Sequence, residues 1–465
     1  MIVMKFGGTS TEDAAAMRNV AGIVHSHIGA KPVVVISAIA QATNMLEQAG
    51  KNASAGKPEE ALATIQKLIA RHYAIVKEDI SDSKRREELK AVISQASAEL
   101  AELIRGVAIL RELTPRSLDA FCCYGELLSS RLIAACLAER GVNACWIDTR
   151  DFMLTDSNFT TAVPIMEEVS PRLRNIVSAG IDQGKVYVTQ GFIGANESGV
   201  RTTMGRESSD YSAAVIGAAL EATDVQIWTD VDGILTGDPR TVSKPMKVKE
   251  MSFEEAHELS YFGAKVLHPN TLLPAIEKNI PIHVYNSRKP ERSGTLIHSG
   301  APSDEFHVKS VTHLSPVSLV RVAPSQRRGQ FLFWDELFNI LTKHGIAARA
   351  VTTSEYGIAL AIDEKHIVPD VVRDLETLGK VTVTNGSGIV TVVGSNLSSN
   401  GDLLCRVFNA LKGMRVSMVS TGASDCSVSF VVDVDSVVNV VDALHREFFE
   451  VVPDRELFEV LEELD

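Results

Sequence analysis

The chain has 465 residues, a formal net charge of −13 and a sequence pI near 5.5. Its length suggests about three domains, its hydrophobic share of 45% can fill large cores, and its acidity argues against nucleic acid or anionic membranes as partners, since both want basic patches. Six scattered cysteines without a C-x-x-C pair read as reduced thiols, no apolar run of about 18 residues is present, and a first strand beginning at Met1 makes a cytoplasmic protein the expectation.

Met1 to Phe6 is an apolar run interrupted by Lys5, which predicts a buried strand. Gly7 and Gly8 break it, and Thr9, Ser10 and Asp13 follow as helix-start residues, with Ser10 and Asp13 approximating a capping box. Backbone amides at such a turn suit phosphate, and Lys5 can reach the same anion as a point charge. A plain strand-to-helix turn is the alternative. Neither a Walker P-loop nor a G-x-G-x-x-G fingerprint occurs.

A second apolar strand, Pro32 to Ala38, ends at Ser37 and is followed by Gln41, Thr43 and Asn44. Polar residues beyond the end of an apolar strand point to a parallel α/β sheet with ligands at strand C-termini; Ser37 reads equally as a helix cap. Residues 57 to 115 predict a charged helical hairpin or lid. Glu126 then sits among Leu127, Leu128, Leu132 and Ile133. An acid in such company needs a cationic ligand or an internal partner such as Arg131 or Lys5.

Strands are expected at Val142 to Asp148 and Val186 to Thr189. The polar cluster Thr202 to Ser212 contains Gly205, Arg206 and Asp210 at a helix start and describes another anion site. Ile227 to Arg240 reads as a strand with a polar turn offering Thr229, Asp230 and Arg240 to a nucleotide, while Asp232-Gly233 alone is a turn signal. Lys265 follows a glycine at a helix end, His268 reads as structural, Ile280 to Val284 should close the sheet, and 286 to 308 reads as linker. Beyond about residue 310, Leu337-Phe-Asn-Ile-Leu341 matches Val407-Phe-Asn-Ala-Leu411 at a shift of 70, without a gap through Asp363 and Asp433. Each copy predicts a β-α-β-β-α-β unit, more naturally a regulatory or dimerising module than a second active site.

Together, Lys5-Phe-Gly-Gly-Thr-Ser10, Gly125-Glu126, Gly205-Arg206 through Ser209-Asp210, Trp228-Thr229-Asp230-Val231 and Phe262-Gly-Ala-Lys265-Val-Leu-His-Pro269 resemble the motifs of the aspartate kinase family. The resemblance runs over essentially the whole chain and matches the monofunctional form. It implies an amino-acid-kinase α/β/α sandwich with a mainly parallel sheet over 1–300, then ACT domains over 310–385 and 386–465. It also implies transfer of the ATP γ-phosphoryl to the side-chain carboxylate of L-aspartate, with Mg2+ carried mainly on the phosphates. By the same resemblance Lys5 neutralises the transferring phosphoryl with Asp210 orienting it. Gly7, Gly8, Thr9 and Ser37 donate to the phosphates, and Thr43, Glu126 and Arg206 bind aspartate. Thr229, Asp230, Arg240 and Lys265 fall on ATP positions. Gln330, Phe333, Trp334, Thr353, Ser354 and Glu355 match an amino-acid effector site, and pairing of the repeats implies a homodimer or higher oligomer. Arg349 stands where lysine-inhibited relatives carry Asp, and an arginine there would repel an amino-acid ammonium or recruit an anion. Kinases of glutamate, acetylglutamate or carbamate, and a silent amino-acid sensor, are the competing readings.

Overall fold

A computed structural model describes residues 1–205, 208–264, 273–300, 306–325, 329–398, 400–450 and 456–461. The chain divides into two compact units, Met1–Gly233 with His268–Ser299, and Ile234–Leu267 with Gly300–Asp465.

In the first unit, β1 (Ile2–Phe6) is buried along its whole length, Lys5 included. It is followed by α1 (Ala14–Ser26), the equally buried β2 (Pro32–Ile36) and α2 (Ala42–Ser54). The expected hairpin is α3 (Pro58–Asp79) and α4 (Ser83–Leu110), after which come α5 (Pro115–Cys122) and α6 (Tyr124–Glu139). Pro115–Glu139 is long and apolar enough to cross a membrane, but 89% of that window is buried inside the protein, so its apolarity serves the core. Next are β3 (Ala144–Trp146), α7 (Met166–Ile181), β4 (Val186–Gln190), the hairpin β5 (Ile193–Ala195) and β6 (Arg201–Thr203), α8 (Ser209–Leu220) and β7 (Asp224–Thr229).

After β8 (Met246–Val248), β9 (Glu250–Ser252) and α9 (Phe253–Tyr261) in the second unit, the chain returns with α10 (Leu273–Glu277), β10 (Ile282–Asn286) and β11 (Thr295–His298). Within the first unit the strands run β3-β4-β2-β1-β7-β10-β11. All neighbours are parallel except β10 and β11. The stretch expected as linker therefore holds an antiparallel strand; only Thr295 and Ile297 in it are buried, and two inward residues were too few for a periodic signal. Helix α6 packs against β2, β3 and β4, while α8 lies on β1, β2 and β7. Small residues let α8 sit close: a Cβ on Gly217 would come within 2.6 Å of the Val225 side chain. Chain order reverses at β1, between β2 and β7. The crevice beyond the C-terminal ends of these strands is where open α/β sheets bind ligands.

In the second unit, β12 (His307–Pro324), α11 (Gln330–Lys343), β13 (Ala348–Ser354), β14 (Gly357–Asp363), α12 (Pro369–Glu376), β15 (Gly379–Ser395), α13 (Gly401–Ala410), β16 (Val416–Thr421), β17 (Ser427–Asp433) and α14 (Val437–His445) follow the predicted repeat. One six-stranded antiparallel sheet, β13-β14-β12-β15-β17-β16, serves both copies. The long β12 and β15 are shared. Val317 to Pro324 with the start of β15 belong to the first copy, and His307 to Leu314, paired with the end of β15, supply the fourth strand of the second. That fourth strand precedes the first copy in sequence. The last strand, β18 (Phe458–Val460), pairs with β8.

Candidate active site

The ends of β1, β2 and β7 meet because their registers align. Lys5 lies beside Val35 and Ile227, so residues 6 to 9, 36 to 38 and 228 to 230 emerge together. Gly7 donates its N–H to the Trp228 carbonyl at 3.1 Å. That amide is therefore spent inside the sheet and is not the free phosphate donor expected. A Cβ at Gly7 would lie 3.6 Å from the Lys5 Nζ, an ordinary contact, so space does not demand a glycine there. Gly8 is required by close approach: its Cβ would sit 2.9 Å from the Ala38 carbonyl. The glycines lead into a four-residue 3-10 turn, Gly8–Thr11, and Asp13, not Ser10, caps α1 by accepting from the Ala16 N–H at 2.8 Å. Ser10 instead bonds the Ser287 hydroxyl at 2.7 Å. The helix dipole expected at the first glycine turn thus begins one turn later.

The Lys5 ammonium, mostly buried, lies 2.5 Å from Asp210 Oδ1 in the first turn of α8. Gly191 makes this possible, because any side chain there would collide with Ser209 at 2.7 Å. Glu126, 3% exposed, accepts the Ala38 N–H through Oε1 at 3.2 Å, while its Oε2 is buried with no hydrogen-bond partner. Burial pushes this carboxyl up to about 8 against the ordinary value of 4.5, and the Ala38 amide offsets only part of that. The internal ion pairs offered as alternatives are not made: Lys5 is taken by Asp210, and the Arg131 guanidinium stacks 3.6 Å over the Trp146 ring. Ser37 is held by its backbone, donating to Phe6 C=O at 3.1 Å and accepting the Ser129 hydroxyl at 2.7 Å. Thr43 is half-buried in the first turn of α2. Thr229 ends β7 and the exposed Asp230 follows it, with the Thr229 carbonyl tied to Ser287. Arg206 and Lys265 lie outside the described residues, as does His268.

In the second unit, Arg240 is exposed and forks onto Asp238 at 2.5 Å. Of the effector positions, Gln330 opens α11 while Thr353, Ser354 and Glu355 are exposed where β13 ends; the repeat topology puts both at one end of the sheet. Trp334 is half-buried, and Phe333 is a core residue packed with Leu337, Leu360 and Leu375, so it offers no surface to a ligand. The Arg349 charge is matched: its guanidinium meets Asp363 in two bonds of 3.1 Å each. Burial alone would raise the Asp363 pKa, but Arg349 outweighs it and holds the group below its usual value.

The amino acid kinase family model matches residues 1–286, and an ACT domain model matches 390–448. Aspartokinase 1, chloroplastic, of Arabidopsis thaliana is 35% identical over 96% of this chain and 80% of its own. Lysine-sensitive aspartokinase 3 of Escherichia coli is 34% identical over 97% of this chain and 99% of its own. The crystal structure of E. coli aspartokinase III in complex with aspartate and ADP superposes with a TM-score of 0.84 at 33% identity, over 97% of this chain and 100% of that one. The chain belongs to the aspartokinase family.

Three polar groups escaped the sequence reading. Thr189 is the penultimate residue of β4 and Ser208 precedes α8, each with a buried hydroxyl lacking a hydrogen-bond partner. Thr189 stood in a segment already read as a strand and turn, and Ser208 in the polar cluster, so only burial separates them from their neighbours. Asp119 in α5 is 1% exposed and accepts from the Thr160 N–H, the Thr203 N–H and the Thr203 hydroxyl at 2.7 to 3.0 Å. Its partners are far away in sequence, and no local signal marks it. Among the described residues no group of three or more His, Cys, Asp or Glu side chains gathers to hold a metal.

Proposed function

We propose that this chain is an aspartate kinase that forms 4-phospho-L-aspartate from L-aspartate and ATP. The observation that carries the reading is the buried, half-satisfied Glu126 carboxyl against Ala38, at the strand ends that also present the Lys5–Asp210 pair. A β-carboxylate is ionised at neutral pH, so it needs no general base. The obstacle is bringing it in line with an anionic phosphate, which calls for fixed cations and donors. One carboxylate oxygen bonds to the γ-phosphorus as the bond to the β,γ-bridging oxygen breaks, and ADP leaves with that electron pair.

Lys5, held by Asp210, offsets the charge on the transferring group. Glu126 receives the α-ammonium through Oε2, and Arg206 and Thr43 complete the aspartate pocket. Gly8, Thr9 and Ser37 face the phosphates, with Thr229, Asp230, Arg240 and Lys265 on the nucleotide. Mg2+ suits the phosphate oxygens, because it keeps waters and binds with few protein ligands. Residues 1–300 hold most of the catalytic part and the regulatory repeats follow from about 307, sharing β12 and β15 so that no single boundary at 385/386 divides them. Through these repeats we also propose self-association and, at Gln330, Trp334, Thr353, Ser354 and Glu355, binding of an amino acid. Support for regulation comes from the relative named lysine-sensitive. A cytoplasmic location completes the proposal.

The test is ADP release with aspartate against glutamate, with hydroxylamine trapping the acyl phosphate as a hydroxamate. Aspartate-dependent ADP and hydroxamate are expected; release of ADP with glutamate alone, or with neither, sinks the reading. Replacing Lys5 with Ala should lower kcat by about a thousandfold or more.

A further inference from the structure

In the second unit the segment that carries Asp238 and Arg240 is bolted to the second repeat. Its two ends pair with each other, Thr236 N–H to Met246 C=O at 2.9 Å and Val248 N–H to Ile234 C=O at 2.8 Å. Two bonds tie it to β12: the Val311 N–H meets Thr236 C=O at 2.9 Å, and the Ser310 hydroxyl meets Leu235 C=O at 2.9 Å. A third tie is a side-chain bond. Thr236 Oγ1 accepts the Met246 N–H at 2.9 Å and lies 2.9 Å from His445 Nε2, at the end of α14. Both side chains are fully buried.

The proton arrangement follows from the partners. His445 Nδ1 faces the Glu450 carboxylate at 3.4 Å, so it carries the proton, and Nε2 is left to accept from the Thr236 hydroxyl. Burial holds His445 below the ordinary histidine range despite Glu450, which keeps the ring neutral. The imidazole also lies beside the loop at Gly237, where an added Cβ would sit 3.0 Å from Val242 Cγ2 and 3.3 Å from His445 Cδ2. Behind it, Phe449 packs on His445 at 4.9 Å and on Phe458 of β18 at 5.4 Å. A hydrocarbon at 445 could fill this space, but the buried Thr236 hydroxyl would then keep only the Met246 N–H and its own proton would lose its acceptor, next to the residues that lead into Asp238.

We propose that His445 is a positioning residue for the nucleotide: through Thr236 it sets the loop bearing Arg240, so the second repeat supports ATP binding directly, with no effector present. This rests on the reading of Arg240 as a nucleotide ligand. The test compares His445→Leu, His445→Gln and Arg240→Ala in the full chain. ADP affinity is measured by calorimetry without aspartate, steady-state constants are measured for both substrates, and hydrogen exchange is followed at the Met246 amide.

His445→Leu should weaken ADP and raise KM for ATP about five- to tenfold, with kcat and KM for aspartate within about twofold and faster exchange at Met246. Gln, whose side-chain oxygen can accept the Thr236 proton, should restore ADP affinity to within about twofold. If Arg240→Ala weakens ADP and His445→Leu does not, the positioning role is overturned. If Arg240→Ala leaves ADP affinity unchanged, the nucleotide reading of the loop falls and the proposal with it. Should His445→Leu not fold, Thr236→Ser and Thr236→Ala probe the same bond from its other end. Serine should keep ADP affinity and alanine lose it; equal affinities overturn the proposal.

Discussion

Asp119 and Glu126 are buried carboxyls on successive helices, and they are solved differently. Asp119 accepts three hydrogen bonds and spends both oxygens on Thr160 and Thr203. Glu126 accepts one from Ala38 and leaves Oε2 bare. Burial raises the pKa of both, but only Glu126 is carried to about 8. A finished carboxylate clamps the β5–β6 hairpin to α5, whereas an unfinished one waits for a cation. Partner count, more than burial or charge, separates the structural acid from the one suited to ligand binding.

The strongest way to break this contrast is Glu126→Gln. The amide still accepts from Ala38 but offers no charge to an ammonium, so KM for aspartate should rise about ten- to a hundredfold. The converse change, Asp119→Asn, turns an amide NH2 toward backbone donors and should cost about 1–3 kcal/mol of stability in urea unfolding, with KM for aspartate unchanged. If Asp119→Asn shifts KM as much as Glu126→Gln does, the two acids do not differ in role.

Proton linkage sharpens the same point. Below about 4.5 Glu126 is protonated in folded and unfolded chains alike. Between 4.5 and about 8 the unfolded chain releases a proton that the folded one keeps, so stability falls as pH rises, then levels off above about 8. Glu126→Gln should remove that decline and be more stable than the parent near pH 8, as urea midpoints across pH would read. Aspartate should reverse the shift: its ammonium favours the carboxylate, so binding at pH 7 should release a proton. Calorimetry in buffers of different ionisation enthalpy would detect it, and buffer-independent heats would exclude an ammonium at Oε2.

Glu126 was legible because a charge amid leucines on a helix has few structural excuses, and Lys5 because it interrupts an apolar strand next to two glycines. The parallel sheet and the repeat were legible for similar reasons, each written in a local period or an ungapped match. Asp119 was not, since its meaning lies in amides 41 and 84 residues away. The Gly7 amide was misread for the same reason: glycine promises an open backbone, but only the register of β7 shows that Trp228 claims its N–H. Shared strands were also invisible, because an ungapped repeat suggests two consecutive copies while β12 and β15 each serve both.

A third carboxyl extends the contrast to its weak end. Asp363 is half-buried and held by Arg349 in a two-bond fork, so neither oxygen is orphaned and the arginine carries no spare charge. Arg349→Ala should therefore cost only about 0.5–1 kcal/mol, because the side chains retain solvent and the pair is screened. Its more telling readout is at the repeat's rim. If the arginine's charge were what excludes an amino-acid ammonium, the alanine variant would gain inhibition by lysine. With that charge already matched by Asp363, the variant should respond to lysine as the parent does, and a shift in lysine inhibition beyond about threefold would show that the fork opens to the ligand.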